Sequence, residues 1–287
     1  MAEKDMTEKT LEAYGDVFAD IVNGLLFKGE QVITEDALVD AQPFSMYKSD
    51  GALHQQERDS SKYWVDNQGD RINVRIALFG LENQTNYDKD MPLRVIGYDG
   101  ASYRAQLEQQ DRYPVVTLVL YFGDKPWGKI KSLHEAIPVG DRFRPFVNDY
   151  KINLFEICDL PEEAINYFHS DFRIVVDYFV RKKDNPDYRP SDPQKFKHVD
   201  EILKLMSVLT QDERFVEVME GGKPENMCDV LDRVEARGEA RGEARGKAEG
   251  FFEAMVTLVK KGLLSLTDAA KEAGMTPDDF KKKAGLT

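Results

Sequence analysis

The chain has 287 residues, a hydrophobic share of 41% and a formal net charge of −13, the composition of an ordinary soluble protein long enough for one full core and an appendix. Its longest apolar run, Val115 to Phe122, is far shorter than the roughly 20 residues a membrane helix needs, and the hydrophilic start Met1-Ala-Glu-Lys-Asp5 has no secretory pattern, so a cytoplasmic protein without a membrane partner is expected. The acidic balance counts against a partner held by long-range attraction alone, since nucleic-acid affinity normally comes from neutralised phosphates.

In chain order, the segment from Leu11 to Phe27 carries apolar residues at Val17, Phe18, Ile21, Val22, Leu25 and Leu26. That spacing predicts a helix stopped by Lys28-Gly29. Asp16 falls in its first turn, where a carboxylate suits the helix dipole. A place at the edge of a metal site is the other reading. The polar stretch from Thr34 to Glu57 is expected to be connecting structure.

Next come Arg58-Asp59-Ser-Ser-Lys-Tyr-Trp-Val65, a turn-forming Asp66-Asn-Gln-Gly-Asp70, and the apolar, β-branched run Ile72 to Leu81 closed by Glu82-Asn83-Gln84. Two strands folded back as a hairpin are predicted, the second largely buried. Alternation along a strand puts Glu82 and Gln84 on one face and turns Asn83 away. Asp59 and Glu82 then lie on adjacent strands. Two carboxylates held close repel unless a cation sits between them, and hard divalent ions prefer oxygen ligands.

From Met91 to Leu107, Pro92 suits a first helical turn and Leu93, Ile96, Tyr103 and Leu107 recur at helical spacing. A second buried strand follows at Val115 to Phe122, and strand–helix–strand is a crossover that joins parallel strands. Ile152 to Cys158 reads as one more strand, and Trp127 as a core or loop anchor in preference to a base-stacking platform. From Pro161 to about Met219 the pattern is helical, broken by the Pro/Asp-rich loop Asn185 to Pro193. Arg173 to Lys204 holds eight basic against six acidic residues, close to neutral, so no basic patch offsets the overall charge. Cys158 and Cys228 are the only cysteines, and the four histidines have no ligand spacing.

The tail repeats every four residues, from Glu235-Ala-Arg-Gly to Glu249-Gly250. At roughly 100° per helical residue, glutamate and arginine form slowly drifting stripes on nearly opposite sides, with alanine and glycine between. Every i,i+4 pair then reads as like-charged, and each glycine costs about 1 kcal/mol relative to alanine. The tail is therefore either a flexible tether or a helix rescued by a second copy. Beyond it, Ser265 with Asp268 resembles a capping box, Gly274 a helix stop and Thr276-Pro277 a second start. Helix-turn-helix DNA binding is one reading of this pair of short helices. A packing or oligomerisation element is preferred, because the candidate reading helix is short and opens with two aspartates.

Taken together, Arg58-Asp59, Leu78-Phe-Gly-Leu-Glu82-Asn-Gln84-Thr, Met91-Pro-Leu-Arg94-Val-Ile-Gly-Tyr98 and Tyr113-Pro-Val-Val-Thr-Leu-Val-Leu-Tyr121-Phe-Gly123 resemble the recombination-promoting nuclease family. This is the putative-transposase group within the PD-(D/E)XK nuclease superfamily, and the resemblance spans roughly Asp16 to Asp159. It implies an α/β fold, a restriction-endonuclease-like mixed sheet flanked by helices, with a helical C-terminal extension. The expected divisions are a nuclease core over residues 1–160, its helical completion over 161–230 and a repeat tail with a small helical element over 231–287.

The implied activity is magnesium- or manganese-dependent hydrolysis of DNA, in recombination or mobile-element biology. Carried over by position, Asp59 and Glu82 are metal carboxylates, and Gln84 stands where the wider superfamily keeps lysine. Asp16 lies in a segment similar to one near the family's N-terminus. Arg94 and Tyr98, four apart on one helix face, either touch phosphate or brace the carboxylates, with bracing preferred. The expected partners are DNA and further copies of the chain, joined through 231–287. The alternative is a nuclease scaffold without turnover, acting as a nucleic-acid or protein interaction module.

Overall fold

In a computed structural model of the chain, the residues described are 7, 9–41, 44–49, 52–66 and 74–286, with 44–49 and 52–57 as backbone only. The hydrophilic start and the expected turn at 67–70, together with Ile72 and Asn73, lie outside them. The chain divides into two compact units, Met1–Cys228 and Asp229–Thr287.

The first unit is mixed α/β. In chain order its regular elements are α1 (Gly15–Phe27), β1 (Leu38–Asp40), β2 (Phe44–Ser49), β3 (Ala52–Glu57), β4 (Ser60–Asp66), β5 (Val74–Gln84), α2 (Met91–Arg104) and β6 (Val115–Tyr121). They continue with α3 (Leu133–Ala136), β7 (Asn153–Glu156), α4 (Phe172–Lys182), α5 (Val199–Thr210) and α6 (Arg214–Glu217). Five strands form one sheet in the order β1-β4-β5-β6-β7, and β2 and β3 form a separate hairpin. The pairs β1/β4 and β4/β5 are antiparallel, whereas β5/β6 and β6/β7 are parallel. The expected hairpin and the strand–helix–strand crossover are both present, because α2 carries the chain from the end of β5 back to the start of β6.

Expectations change at two places near the N-terminus. The opening helix does not run unbroken from Leu11. Residues 9–12 are helical and the chain then leaves the helix at Tyr14 (φ −70°, ψ 134°), so α1 starts at Gly15. Tyr14 is held by tertiary contacts that local periodicity does not encode: its hydroxyl donates to Glu201 at 3.0 Å and its ring stacks on His198 at 3.7 Å. The stretch from Thr34 to Glu57, expected to be connecting structure, contains β1 and the β2/β3 hairpin. The stop of α1 is as expected, with Lys28 in the left-handed region (φ 53°) and Gly29 following at φ 87°.

β5 is the spine of the sheet. Ala77 through Glu82 are all buried, because helices cover both faces. On one face Met91 and Val95 of α2 meet Val119 and Tyr121 of β6, with Trp127 and Ile152 completing the cluster. On the other, the Lys62 ammonium of β4 lies 5.7 Å from the Phe18 ring of α1, and Phe122 packs on Phe172 and Phe179 of α4. Gly80 serves the first face: a Cβ there would stand 2.6 Å from Cδ of Arg58, so only glycine lets that side chain cross the strand.

In the second unit the repeat is a continuous part of α7 (Met227–Lys260), followed by α8 (Leu266–Glu272) and α9 (Pro277–Lys283). The i,i+4 pairing expected to be uniformly like-charged reverses at the last unit, Lys247-Ala-Glu249. There Lys247 pairs with Glu243 at 2.6 Å and Arg245 with Glu249 at 2.7 Å. The caps form as expected: Ser265 Oγ accepts from Asp268 N–H at 3.1 Å, Thr276 Oγ1 from Asp279 N–H at 3.2 Å, and Gly274 turns at φ 67°. Ala269, Ala270 and Phe280 are its buried centre, against Phe252, Met255, Val256 and Val259 of α7.

Candidate active site

The register of the β4/β5 hairpin decides the site. Ser60 pairs with Leu81, so Asp59 stands beside Glu82 where the ladder ends. Asp59 Oδ2 accepts the backbone N–H of Asn83 at 2.7 Å, which fixes its carboxylate against the strand carrying the second acid. Its other oxygen, Oδ1, pairs with the Lys9 ammonium at 2.9 Å.

Glu82 is 1% exposed. Its Oε1 accepts from the Arg94 guanidinium, from Gln84 Nε2 at 3.4 Å and from the Tyr98 hydroxyl at 3.5 Å. Its Oε2 is buried and has no hydrogen-bond partner among the described residues. Burial, and then the charge of Asp59, push the Glu82 carboxyl up to about 8, against the opposing pull of Arg94 and Lys9. An acid with so high a proton affinity is one that a second cation would stabilise. Asn83 turns to the opposite face as predicted, where its Nδ2 donates to Glu12 at 2.9 Å.

Arg94 and Tyr98 occupy successive turns of α2 and both reach Glu82. The guanidinium also donates to Asp88 at 3.0 Å and to the Tyr98 hydroxyl at 3.2 Å. Burial disfavours the charge of Arg94, but Glu82, Tyr98 and Asp88 together outweigh it and raise its pKa. Burial and the Glu82 charge likewise raise Tyr98. Both side chains thus contact Glu82 directly.

Behind this layer lies a network that sequence patterning misses. Arg58 pairs with Asp99 at 2.6 Å, both 4% exposed in their side chains. Arg58 also donates to Ser102 at 3.1 Å and lies 5.4 Å from the Tyr98 ring centroid. Asp99 accepts in addition from Thr117 at 2.6 Å and from the Tyr150 hydroxyl. One residue from Asp59, Arg58 thus ties the start of β4 to α2.

Asp16 is not brought to this pair. Its carboxylate meets Lys197 at 2.9 Å and His198 Nε2 at 2.9 Å; burial alone would raise its pKa, but these partners lower it. It lines a separate cleft of about 560 Å³ with Asp20, Glu35, His169, Asp171 and Lys197. The acid from the N-terminal segment that does approach the site strand is Glu12, 2% exposed. Glu12 has no spacing signal of its own, because the break at Tyr14 takes it off the periodicity of α1.

Among the described residues no three His, Cys, Asp or Glu side chains form a group able to hold a metal ion. Asp59 and Glu82 offer two hard oxygen donors, one of them a buried oxygen without a hydrogen-bond partner. That donor set fits magnesium or manganese, which accept one or two carboxylates and fill the remaining positions with water. No helix among the described residues is long and apolar enough to cross a membrane. Compared with models of protein families, with characterised proteins and with solved structures, the chain matches none.

Proposed function

We propose that the first unit is a metal-dependent DNA endonuclease of restriction-endonuclease-like architecture, hydrolysing phosphodiester bonds in the cytoplasm during recombination or mobile-element events. The observation that carries this reading is the pairing of Asp59 with a buried Glu82 whose Oε2 lacks a hydrogen-bond partner and whose carboxyl is pushed up to about 8. Asp59 and Glu82 hold the divalent ion, which when bound supplies Lewis acidity toward water and the phosphoryl oxygens. Gln84, whose amide reaches Glu82 Oε1 at 3.4 Å, orients a water by neutral hydrogen bonds. Arg94 and Tyr98 keep Glu82 in place, and the Arg58–Asp99 network keeps Asp59 in register. The test is nicking of supercoiled plasmid with magnesium by wild type, Asp59→Ala and Glu82→Ala; equal nicking by all three rejects the reading.

A second reading is a scaffold that binds without turnover. Its support is that each acid already meets a protein cation, Lys9 on Asp59 and Arg94 on Glu82. Under that reading neither magnesium nor manganese raises the thermal stability of the protein. For the second unit, we propose self-association through residues 231–287, with the glutamate stripe of one copy facing the arginine stripe of another.

A further inference from the structure

Phosphodiester hydrolysis builds negative charge on the phosphoryl oxygens, and cationic groups placed beside them are a main means of lowering its barrier. The residues of the site supply this unequally. Gln84 is neutral. Arg94 is committed to Glu82, Asp88 and Tyr98, with both terminal nitrogens occupied. Arg58 is buried against Asp99 behind the site.

Lys9 differs from all three. It projects from the helical residues 9–12, its ammonium is 2.9 Å from Asp59 Oδ1, and its side chain is 40% exposed against 17% for Asp59, so it sits toward the solvent side of that acid. Its charge also reaches Glu82, where it opposes the upward shift of that carboxyl. Lys9 therefore meets Asp59 from outside the hairpin that carries both acids. A lysine ammonium is a compact point charge on a flexible stem, able to leave a carboxylate for a phosphate without the geometric demands of a guanidinium.

We propose that Lys9 is the catalytic cation of this site: it contacts the scissile phosphate and supplies from the N-terminal segment the positive charge that Gln84 lacks. The proposal rests on the nuclease reading and assigns it a residue that strand alternation does not reach. It makes a specific claim about interchange. Because the Gln84 amide reaches the same Glu82 carboxylate, an ammonium placed at position 84 stands at the same acid pair.

The test compares wild type, Lys9→Met, the double variant Lys9→Met/Gln84→Lys and Asp59→Ala. Two measurements are made: plasmid nicking with magnesium, and fluorescence anisotropy of a short DNA duplex with calcium in place of magnesium. Lys9→Met is expected to nick at least tenfold more slowly and to bind the duplex at least threefold more weakly, with the double variant within threefold of wild type in both. A Lys9→Met protein within twofold of wild type in both measurements overturns the proposal. So does a loss that Gln84→Lys fails to recover, which is what a purely structural Lys9–Asp59 pair produces. Wild type that binds the duplex but does not cut rejects the nuclease reading, and the catalytic role of Lys9 with it. Nicking by Asp59→Ala at the wild-type rate rejects the nuclease reading itself, and the role of Lys9 with it.

Discussion

The backbone N–H of Asn83 donates to Asp59 Oδ2 across 2.7 Å, so the residue whose side chain turns away from the site is the one whose main chain locks the first acid beside the second. The carboxylate pair is built into the ladder end itself, and its separation is set by strand spacing. Several measurable consequences come from this construction.

Divalent-ion binding should register as stability. At a free ion concentration 100-fold above the dissociation constant, a site present only in the folded state adds about 2.7 kcal/mol. For a unit of this size that corresponds to a rise in melting temperature of roughly 5–10 °C. Differential scanning fluorimetry with manganese should show the rise in wild type and none in Asp59→Ala. A rise of equal size in both proteins would place the bound ion elsewhere.

Glu82 sets a pH dependence of known sign. Its folded pKa, about 8, lies above that of an exposed glutamate, so between about pH 4.5 and 8 the folded protein holds a proton that the unfolded chain has released. Stability should therefore fall with rising pH across that window, at up to about 1.4 kcal/mol per pH unit, and level off above it. Glu82→Gln removes the titration. Urea midpoints at pH 5, 6.5 and 8 should show the variant gaining on wild type at each step, and a constant difference would contradict the assignment. Manganese binding, which competes with that proton, should weaken as the pH falls below 8.

The Arg58–Asp99 pair is buried on both sides, and removing one partner of such a pair typically costs about 3–5 kcal/mol. Asp99→Ala should show a loss of that size in urea unfolding. Gly80→Ala reaches the same network sterically, since its Cβ would lie 2.6 Å from Arg58 Cδ, and should cost about 1–3 kcal/mol. Combined, the two substitutions should destabilise by less than their sum, because both act on Arg58.

Asp16→Asn separates a structural acid from the site acids. It weakens the contacts with Lys197 and His198 and should lower stability by about 1 kcal/mol or less, given the exposure of Lys197. Nicking and the manganese shift should stay within twofold of wild type. A tenfold loss of either would bring Asp16 back as a member of the metal site.

For the tail, light scattering should give a dimer or higher oligomer for the full chain and a smaller species after removal of residues 231–287. Raising the salt should shift the full chain toward the smaller species, since exposed charge stripes are screened. A monomer with and without the tail would leave self-association unsupported.

The sequence by itself determined the elements whose signals are local. The alternation through β5 put Glu82 and Gln84 on one face, Pro92 opened α2, and the serine and threonine caps with Gly274 marked the two last helices. Strand and helix periods and capping chemistry are properties of consecutive residues, and these were legible without any partner. Tertiary structure alone decided what depends on residues distant in the chain. The break at Tyr14 follows from His198 and Glu201, and Arg58 reaches Asp99 only because Gly80 leaves room for it. Asp16 went to His198 while Lys9 and Glu12 came to the site strands. Which charges meet is set by how helices pack on the sheet, and that packing is the sum of many weak apolar contacts. No short window of sequence contains it.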